Sequence, residues 1–128
     1  MKEENQKFSL KKRLKSFKYA FQGLGYLFKT QHNAWIHLLA AVISIILGLL
    51  LKISLTEWCL ISFAMGLVIS AELINTSVEY LTDLTSPGYS EKAKRIKDMA
   101  AASVLIAAIT AAIIGVIIFV PKIIAMLS

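Results

Sequence analysis

A polar, acidic segment interrupts the apolar second half of this chain. It reads AELINTSVEYLTDLTSPGY over residues 71–89 and carries Glu72, Asn75, Glu79 and Asp83. At about 100° of rotation per helical residue, the three carboxylates and Thr76 form one narrow stripe, with Asn75 beside it. Carboxylates on one face of a helix can accept protons or hold a divalent cation. This segment is therefore the first place in the sequence to look for chemistry.

A second charged group, Lys94, Lys97 and Asp98, follows the acidic segment. Its members are spaced to share one helical face. A lysine beside acidic side chains can hold a phosphate group, and the acidic oxygens can hold the accompanying cation. The chain contains no G-x-x-x-x-G-K-[ST] loop, so any nucleotide site must be of another kind. His32 and His37 are expected to make hydrogen bonds at the membrane interface, not to bind a metal.

Membrane helices are the elements that must position these residues. The chain has 128 residues, of which 57% are hydrophobic, and we interpret residues 1–128 as one membrane-embedded domain. The uncharged runs at residues 35–51, 58–70 and 99–120 predict spanning helices over residues 33–53, 57–84 and 90–121, since a bilayer requires about 20 helical residues. Thr56 and Glu57 are expected to cap and begin the second span, and residues 86–88 predict a turn.

The first part of the chain predicts a helix that lies on the membrane surface. Over residues 8–29 the apolar positions recur at steps of four and three, while basic residues occupy the other faces. Gly23 and Gly25 allow a bend before the first span. The predicted fold class is therefore an all-α membrane protein with three transmembrane helices and an N-terminal amphipathic surface helix. The apolar positions of the surface helix are Leu10, Leu14, Phe17, Phe21, Leu24 and Phe28.

The distribution of basic residues predicts the orientation in the membrane. Eight of the 14 Lys and Arg residues precede the first span, and four lie between the second and third. By the positive-inside rule, the N-terminus and the second loop are cytoplasmic. The net charge of +6 then suits a phospholipid bilayer and ATP, and requires no nucleic acid. The eight N-terminal residues are Lys2, Lys7, Lys11, Lys12, Arg13, Lys15, Lys18 and Lys29.

Depth in the membrane separates the carboxylates. Counted from Trp58 at the outer interface, Glu72 lies about 21 Å and Glu79 about 31 Å along the helix. Glu72 is then inside the inner leaflet, while Glu79 and Asp83 emerge at the cytoplasmic edge. A carboxyl group in hydrocarbon is costly unless it is paired, protonated or facing a polar cavity. Glu72 is therefore the strongest candidate for a functional role, as a general base.

Three functions are compatible with these charges. A buried base below a cation and phosphate site describes phosphoryl transfer from a soluble donor to a lipid alcohol. A small ion-coupled transport subunit could instead use Glu72 as its carrier site, which predicts charge movement without ATP. A non-catalytic membrane adaptor would tolerate alanine at Glu72 and Lys97.

Three stretches of the sequence resemble the prokaryotic diacylglycerol kinase family, which also contains undecaprenol kinases. The segment ELINTSVEYLTD at residues 72–83 meets the family pattern E-x-x-N-[ST]-[AS]-x-E-x-x-x-D without a gap, and AKRIKDMAA at 93–101 supplies its K-D pair. SFKYAFQGL at residues 16–24 is similar to the surface-helix motif of the family. The resemblance covers roughly residues 10–120.

This resemblance implies a homotrimer in the bacterial cell membrane, with active sites between subunits near the cytoplasmic surface. It implies transfer of phosphate from ATP, with Mg²⁺, to a lipid alcohol that is either diacylglycerol or undecaprenol. Glu72 would be the base and Asn75 would complete the site, while Glu79 would bind the metal. The residues implied to lie near ATP are Lys12, Tyr19, Gln31, Glu79, Gly88, Tyr89, Ser90, Lys97 and Asp98.

The chain departs from the family pattern at one metal-binding position. The family usually has a glutamate just before the first span, whereas Gln31 stands there in QHNAWIH. Its carbonyl oxygen is a weaker magnesium ligand than a carboxylate. Gln31 is still expected to face the metal together with Glu79. The Ile36-His37 pair is more similar to the undecaprenol kinase branch.

Overall fold

The structure, a computed structural model, describes residues 7–128, and over that range it consists of four α-helices. The helices are α1 (Leu10–Thr30), α2 (His32–Leu50), α3 (Leu55–Thr85) and α4 (Glu91–Leu127). By length and composition α2, α3 and α4 can each cross a membrane. The predicted all-α class, with one N-terminal helix and three candidate spans, is therefore confirmed. Lys2, one of the eight basic N-terminal residues, lies outside the described residues.

Helix α1 is continuous up to its junction with α2. The hydroxyl of Ser9 caps its first turn by accepting a hydrogen bond from the backbone of Lys12. The bend expected at Gly23 and Gly25 is absent, because the helix runs through both glycines to Thr30. The break occurs instead at Gln31, which is extended (φ −117°, ψ 111°) and is the single residue between α1 and α2.

A tight connection joins α2 to α3 at the end of the bundle away from the acidic segment. Lys52 has a φ of 52°, in the left-handed region that allows the chain to reverse over few residues. Ser54 caps α3, so the expectation that Thr56 does so is wrong. The Ser54 hydroxyl accepts a hydrogen bond from Glu57 N at 3.2 Å, and Glu57 Oε2 accepts one from Ser54 N at 3.0 Å. This reciprocal pair is a capping box, which requires the three-residue spacing that Ser54 has and Thr56 lacks.

The same end of the bundle contains its apolar core. Ile53, Ile61, Ile118 and Phe119 are buried together, and the ring of Trp58 packs against them. An ion pair of 3.3 Å between Lys122 Nζ and Glu57 Oε1 joins the last turns of α4 to the first turn of α3. These contacts hold the three spanning helices together on the side opposite the candidate site.

Helices α3 and α4 form the most extensive contact between elements. Where a turn was predicted at residues 86–88, the chain has an irregular link with a bend at Gly88, and Ser90 caps α4 by accepting from Ala93 N. Helix α4 passes through Pro121 and ends at Leu127, six residues beyond the predicted end. Proline removes one backbone donor, and α4 continues beyond that position. Residues 83–98 therefore form an antiparallel junction at one end of the bundle, where the two charged groups of the sequence meet.

Candidate active site

Glu72 lies at the middle of the site and is almost completely buried. Its residue exposure is 2%, in the part of α3 that faces α2. Nε2 of His37, on α2, lies 3.1 Å from Oε1 of Glu72, within hydrogen-bond distance. A carboxyl group in a spanning helix requires such a partner, because hydrocarbon cannot solvate it. Glu72 is thus a paired carboxyl group whose polar contact comes from another helix.

Sequence reasoning assigned His37 only a general role at the interface and missed its contact with Glu72. The contact could have been inferred from the number of residues that separate His37 and Glu72 from the α2–α3 turn. His37 is 13 residues before the end of α2, and Glu72 is 17 residues after the start of α3. At 1.5 Å per residue these are about 20 and 26 Å, so an antiparallel pair brings the two residues to similar depths. The rotation of α2 that turns His37 toward Glu72 is visible only in the structure.

One turn further along α3, Asn75, Thr76 and Glu79 continue the polar stripe. Asn75 and Thr76 are buried, at 8% and 6% exposure. Nδ2 of Asn75 donates to Oε1 of Glu79 at 3.3 Å. Among the residues the structure describes, Oδ1 of Asn75 and Oγ1 of Thr76 are buried without a hydrogen-bond partner. Because buried polar atoms are rarely left unsatisfied, this part of α3 is suited to bind a polar ligand.

A polar cleft of about 350 Å³ lies where α3 ends and α4 begins. Lys97 forms an ion pair with Asp83, and Lys94 Nζ lies 2.6 Å from Asp98 Oδ2. The cleft brings together five residues that the resemblance placed near ATP. They are Gly88, Tyr89, Ser90, Lys97 and Asp98.

The two residues of α1 that the resemblance placed near ATP do not line this cleft. Lys12 lines a separate shallow cleft near the start of α1, and Tyr19 is 63% exposed. Gln31 is partly buried at the junction of α1 and α2. The far end of α1 does reach α3, since the rings of Tyr26 and Tyr80 have centroids 5.8 Å apart. The neighbouring phenol of Tyr80, chiefly through a hydrogen bond, raises the pKa of Tyr26 above its usual value.

The donor atoms of α3 fit a magnesium ion that arrives with phosphates. Within residues 7–128 no three His, Cys, Asp or Glu side chains come together as a metal-binding cluster. Magnesium, however, is commonly bound by one or two carboxylates together with substrate phosphates. The carboxylate of Glu79 and the unpartnered Oδ1 of Asn75 are oxygen donors one helical turn apart. These residues suit a cation shared with a nucleotide better than a resident cation held by protein alone.

Comparison with known proteins identifies the family. Residues 18–119 match the sequence profile described as prokaryotic diacylglycerol kinase. An undecaprenol kinase of Bacillus subtilis (strain 168) is 35% identical over 122 residues, covering 95% of this chain and 99% of that protein. A diacylglycerol kinase of Synechocystis sp. is 38% identical over 115 residues, covering 89% and 66% respectively. A diacylglycerol kinase of Helicobacter pylori (strain 26695) is 33% identical over 106 residues, covering 77% and 83%.

Three apolar helices and these matches define the class of the protein, a bacterial membrane lipid kinase. The chain belongs to the prokaryotic diacylglycerol kinase family. The resemblance inferred from residues 72–83 and 93–101 is therefore confirmed. The family favours the kinase over the transport subunit and the adaptor, which were the alternatives left open by the charges alone.

Proposed function

We propose that this protein transfers the γ-phosphate of ATP to the hydroxyl group of a membrane lipid, with Glu72 as the proton acceptor. The observation that carries the proposal is a buried carboxyl group on a spanning helix, two helical turns from Glu79 and on the same side of α3. Seven residues correspond to about 10 Å along the helix. A lipid hydroxyl inside the membrane can therefore meet Glu72 while the phosphates remain at the polar end.

In the proposed reaction the lipid hydroxyl gives its proton to Glu72. The lipid oxygen forms a bond to the γ-phosphorus as the bond between that phosphorus and the β–γ bridging oxygen breaks, and ADP leaves. Phosphoryl transfer of this kind depends mainly on positioning and on neutralising the phosphate charge. When bound, Mg²⁺ would neutralise charge on the β- and γ-phosphate oxygens. Glu79, with Asn75 beside it, would hold that ion, and Gln31 would offer a further oxygen.

The cleft between α3 and α4 is the proposed site for the rest of the nucleotide. Lys97 would bind the phosphates, with Asp98 beside the nucleotide. The ion pair between Lys97 and Asp83 would keep the lysine ammonium group at the cleft before ATP binds. Residues 88–90 line the same cleft and would lie along the nucleotide. Lys12 and Tyr19 remain proposed ATP contacts from α1, and both are exposed on that helix.

The proposed arrangement in the membrane follows from charge. The N-terminus and the turn at residues 86–90 would be cytoplasmic, because most basic residues flank these regions. The α2–α3 connection would then face the outside, so that the polar cleft meets cytosolic ATP. We further propose that three copies assemble, with neighbouring subunits completing each site.

Two lipids are candidates for the acceptor, and each is supported by a relative. The undecaprenol kinase aligns along 99% of its own length, which favours a polyprenol. The Synechocystis diacylglycerol kinase has the higher identity, 38%, which favours diacylglycerol. Both lipids carry a hydroxyl group, so the same site could act on either.

A side-by-side assay tests the function and identifies the lipid. Purified protein in bilayers would be given γ-labelled ATP and either diacylglycerol or undecaprenol. We expect label in one lipid to exceed that in the other. If neither lipid is labelled, the proposed function is wrong. Charge movement into proteoliposomes without ATP would support the transport alternative instead.

A further inference from the structure

We propose that His37 is the positioning residue for Glu72. Its Nε2–H would hold Oε1 of the carboxylate, so that Oε2 faces the lipid hydroxyl. This inference rests on the proposed function, because it assigns Glu72 the role of proton acceptor. His37 itself would touch neither the nucleotide nor the reacting oxygen.

The geometry supports a positioning role because the two residues belong to different helices. A glutamate side chain has three rotatable bonds, and an unpaired carboxylate on α3 could adopt several orientations. The 3.1 Å contact from α2 removes that freedom. The side chain of Glu72 is 3% exposed, whereas that of His37 is 20% exposed. The carboxylate is therefore enclosed, and the imidazole lies between it and a more open space.

That open space is apolar, which makes His37 difficult to replace as a partner. His37 lines a cavity of about 240 Å³ between α2, α3 and α4. The remaining lining residues in the described structure are apolar apart from Ser44, and none of them is ionisable. Without His37, the carboxyl group of Glu72 would border an apolar cavity, where a buried polar group that lacks a hydrogen-bond partner is costly. A single imidazole therefore both orients the carboxylate and provides its polar surroundings.

The proposed contact has a definite proton arrangement. An ionised carboxylate only accepts hydrogen bonds, so the proton between the two groups belongs to Nε2 of His37. During the reaction the proton of the lipid hydroxyl would move to Oε2 of Glu72. The Nε2 proton of His37 would stay in place, so the histidine serves throughout as a donor.

Nitrogen NMR tests this arrangement without any activity measurement. The chain has only two histidines, so ¹⁵N-histidine labelling with a His32→Gln variant leaves one ring to observe in membranes. We expect Nε2 of His37 to carry a proton and its resonance to shift in Glu72→Gln. An unprotonated Nε2, or a resonance that Glu72→Gln leaves unchanged, would overturn the proposal.

Kinetics provide the second test, with two substitutions that differ in one donor. His37→Leu should lower kcat by about tenfold or more, because misplacing a catalytic group is costly, while the KM for ATP stays within about twofold. His37→Gln keeps an N–H near the position of Nε2 and should retain most of kcat. His32→Leu, an exposed histidine on the same helix, is the matched control and should behave as wild type. Equal loss in His37→Gln and His37→Leu would contradict a positioning role.

A double variant asks whether His37 acts through Glu72. If it does, His37→Leu should cost little further activity once Glu72→Gln has been made, since residues that act as a unit are not additive. If the loss of activity in the double variant equals the product of the losses in the two single variants, the two residues act independently. If wild-type protein labels no lipid, the proposed function fails, but the NMR result still decides whether the contact exists.

Discussion

The three carboxylates in the acidic segment of α3, residues 72–83, differ in their exposure to solvent. Glu72 is 2% exposed, Glu79 is partly buried, and the side chain of Asp83 is 61% exposed. Their order along α3 therefore matches a gradient from the interior to the polar end. In the proposed site, Glu79 and Asp83 would be accessible to ions and phosphates from solution, whereas Glu72 would be accessible only to molecules within the membrane.

Glu72→Gln should reduce turnover by a factor on the order of 10²–10⁴, the usual contribution of a general base. The amide has nearly the same shape but accepts protons poorly, so the KM for ATP should change little. Both constants are measured by lipid phosphorylation at varied ATP. Glu91→Gln, at an exposed position in the first turn of α4, is the control. Normal turnover in Glu72→Gln would exclude Glu72 as the base.

Gln31→Glu should lower the magnesium concentration needed for half-maximal activity. A carboxylate is a stronger magnesium ligand than an amide oxygen, and Gln31 is already partly buried at the start of α2. The measurement is a magnesium titration at fixed ATP. Gln22→Glu makes the same chemical change at an exposed position of α1 and should leave the titration unchanged. An unaltered requirement in Gln31→Glu would mean that the metal is bound elsewhere.

At the level of elements, the α2–α3 hairpin brings the backbones of the two helices close together near its turn. Gly48 is buried, and a Cβ atom there would lie 2.6 Å from Cη2 and 2.9 Å from Cζ2 of Trp58. The indole ring thus packs directly on the backbone of α2. The capping box of Ser54 and Glu57 stabilises the start of α3 on the same side. This contact therefore fixes how closely α2 and α3 approach each other at this end of the pair.

Gly48→Ala should therefore destabilise the protein, by about 1–3 kcal/mol, because a rigid ring and not a flexible side chain must move. Thermal unfolding in detergent measures the change. Gly66→Ala is the matched control in α3, where an added Cβ meets nothing within 4 Å. It should be neutral or slightly stabilising, since alanine favours helix over glycine. Equal midpoints for the two variants would show that the contact with Trp58 is unimportant.

At the level of the whole molecule, most large apolar side chains of α2 and α4 are exposed in the single chain. A bilayer can cover such side chains, and so can neighbouring subunits. In addition, Asn75 and Thr76 keep buried polar atoms without partners in the described chain. Both features agree with the proposed trimer, in which one subunit would supply part of its neighbour's site.

Mixing two defective variants tests that assembly. Lys97→Met should raise the KM for ATP by roughly tenfold or more, because a charge-assisted hydrogen bond contributes about 1.5–3 kcal/mol. If base and phosphate site come from different subunits, co-assembled Glu72→Gln and Lys97→Met chains should regain part of the wild-type activity. Lys92→Met, outside the polar cleft, should show no defect. Activity that stays at the level of the two separate variants would place each site within one chain.

The sequence predicted the helices more successfully than the contacts between them. Uncharged runs and the three-four spacing of α1 identify helices because burial in lipid and amphipathicity leave a periodic pattern. Two glycines suggested a bend that the helix does not have, since glycine weakens a helix without ending it. The contact between His37 and Glu72 was not predicted because α2 is apolar on most of its surface, with only His37 and Ser44 as polar residues between Trp35 and Leu50. Its pattern therefore does not specify which side meets α3.

The single-residue junction at Gln31 has a mechanical consequence. Trp35 Nε1 donates to the carbonyl of Phe28 at 2.7 Å, and the two rings pack with centroids 5.4 Å apart across the break. The angle between α1 and α2 is therefore held on both sides of Gln31. If α1 lies on the membrane surface, as its amphipathic sequence predicts, its depth in the bilayer would also set the depth of Gln31. A bilayer that draws α1 inward would then move Gln31, the proposed metal ligand, by the same amount.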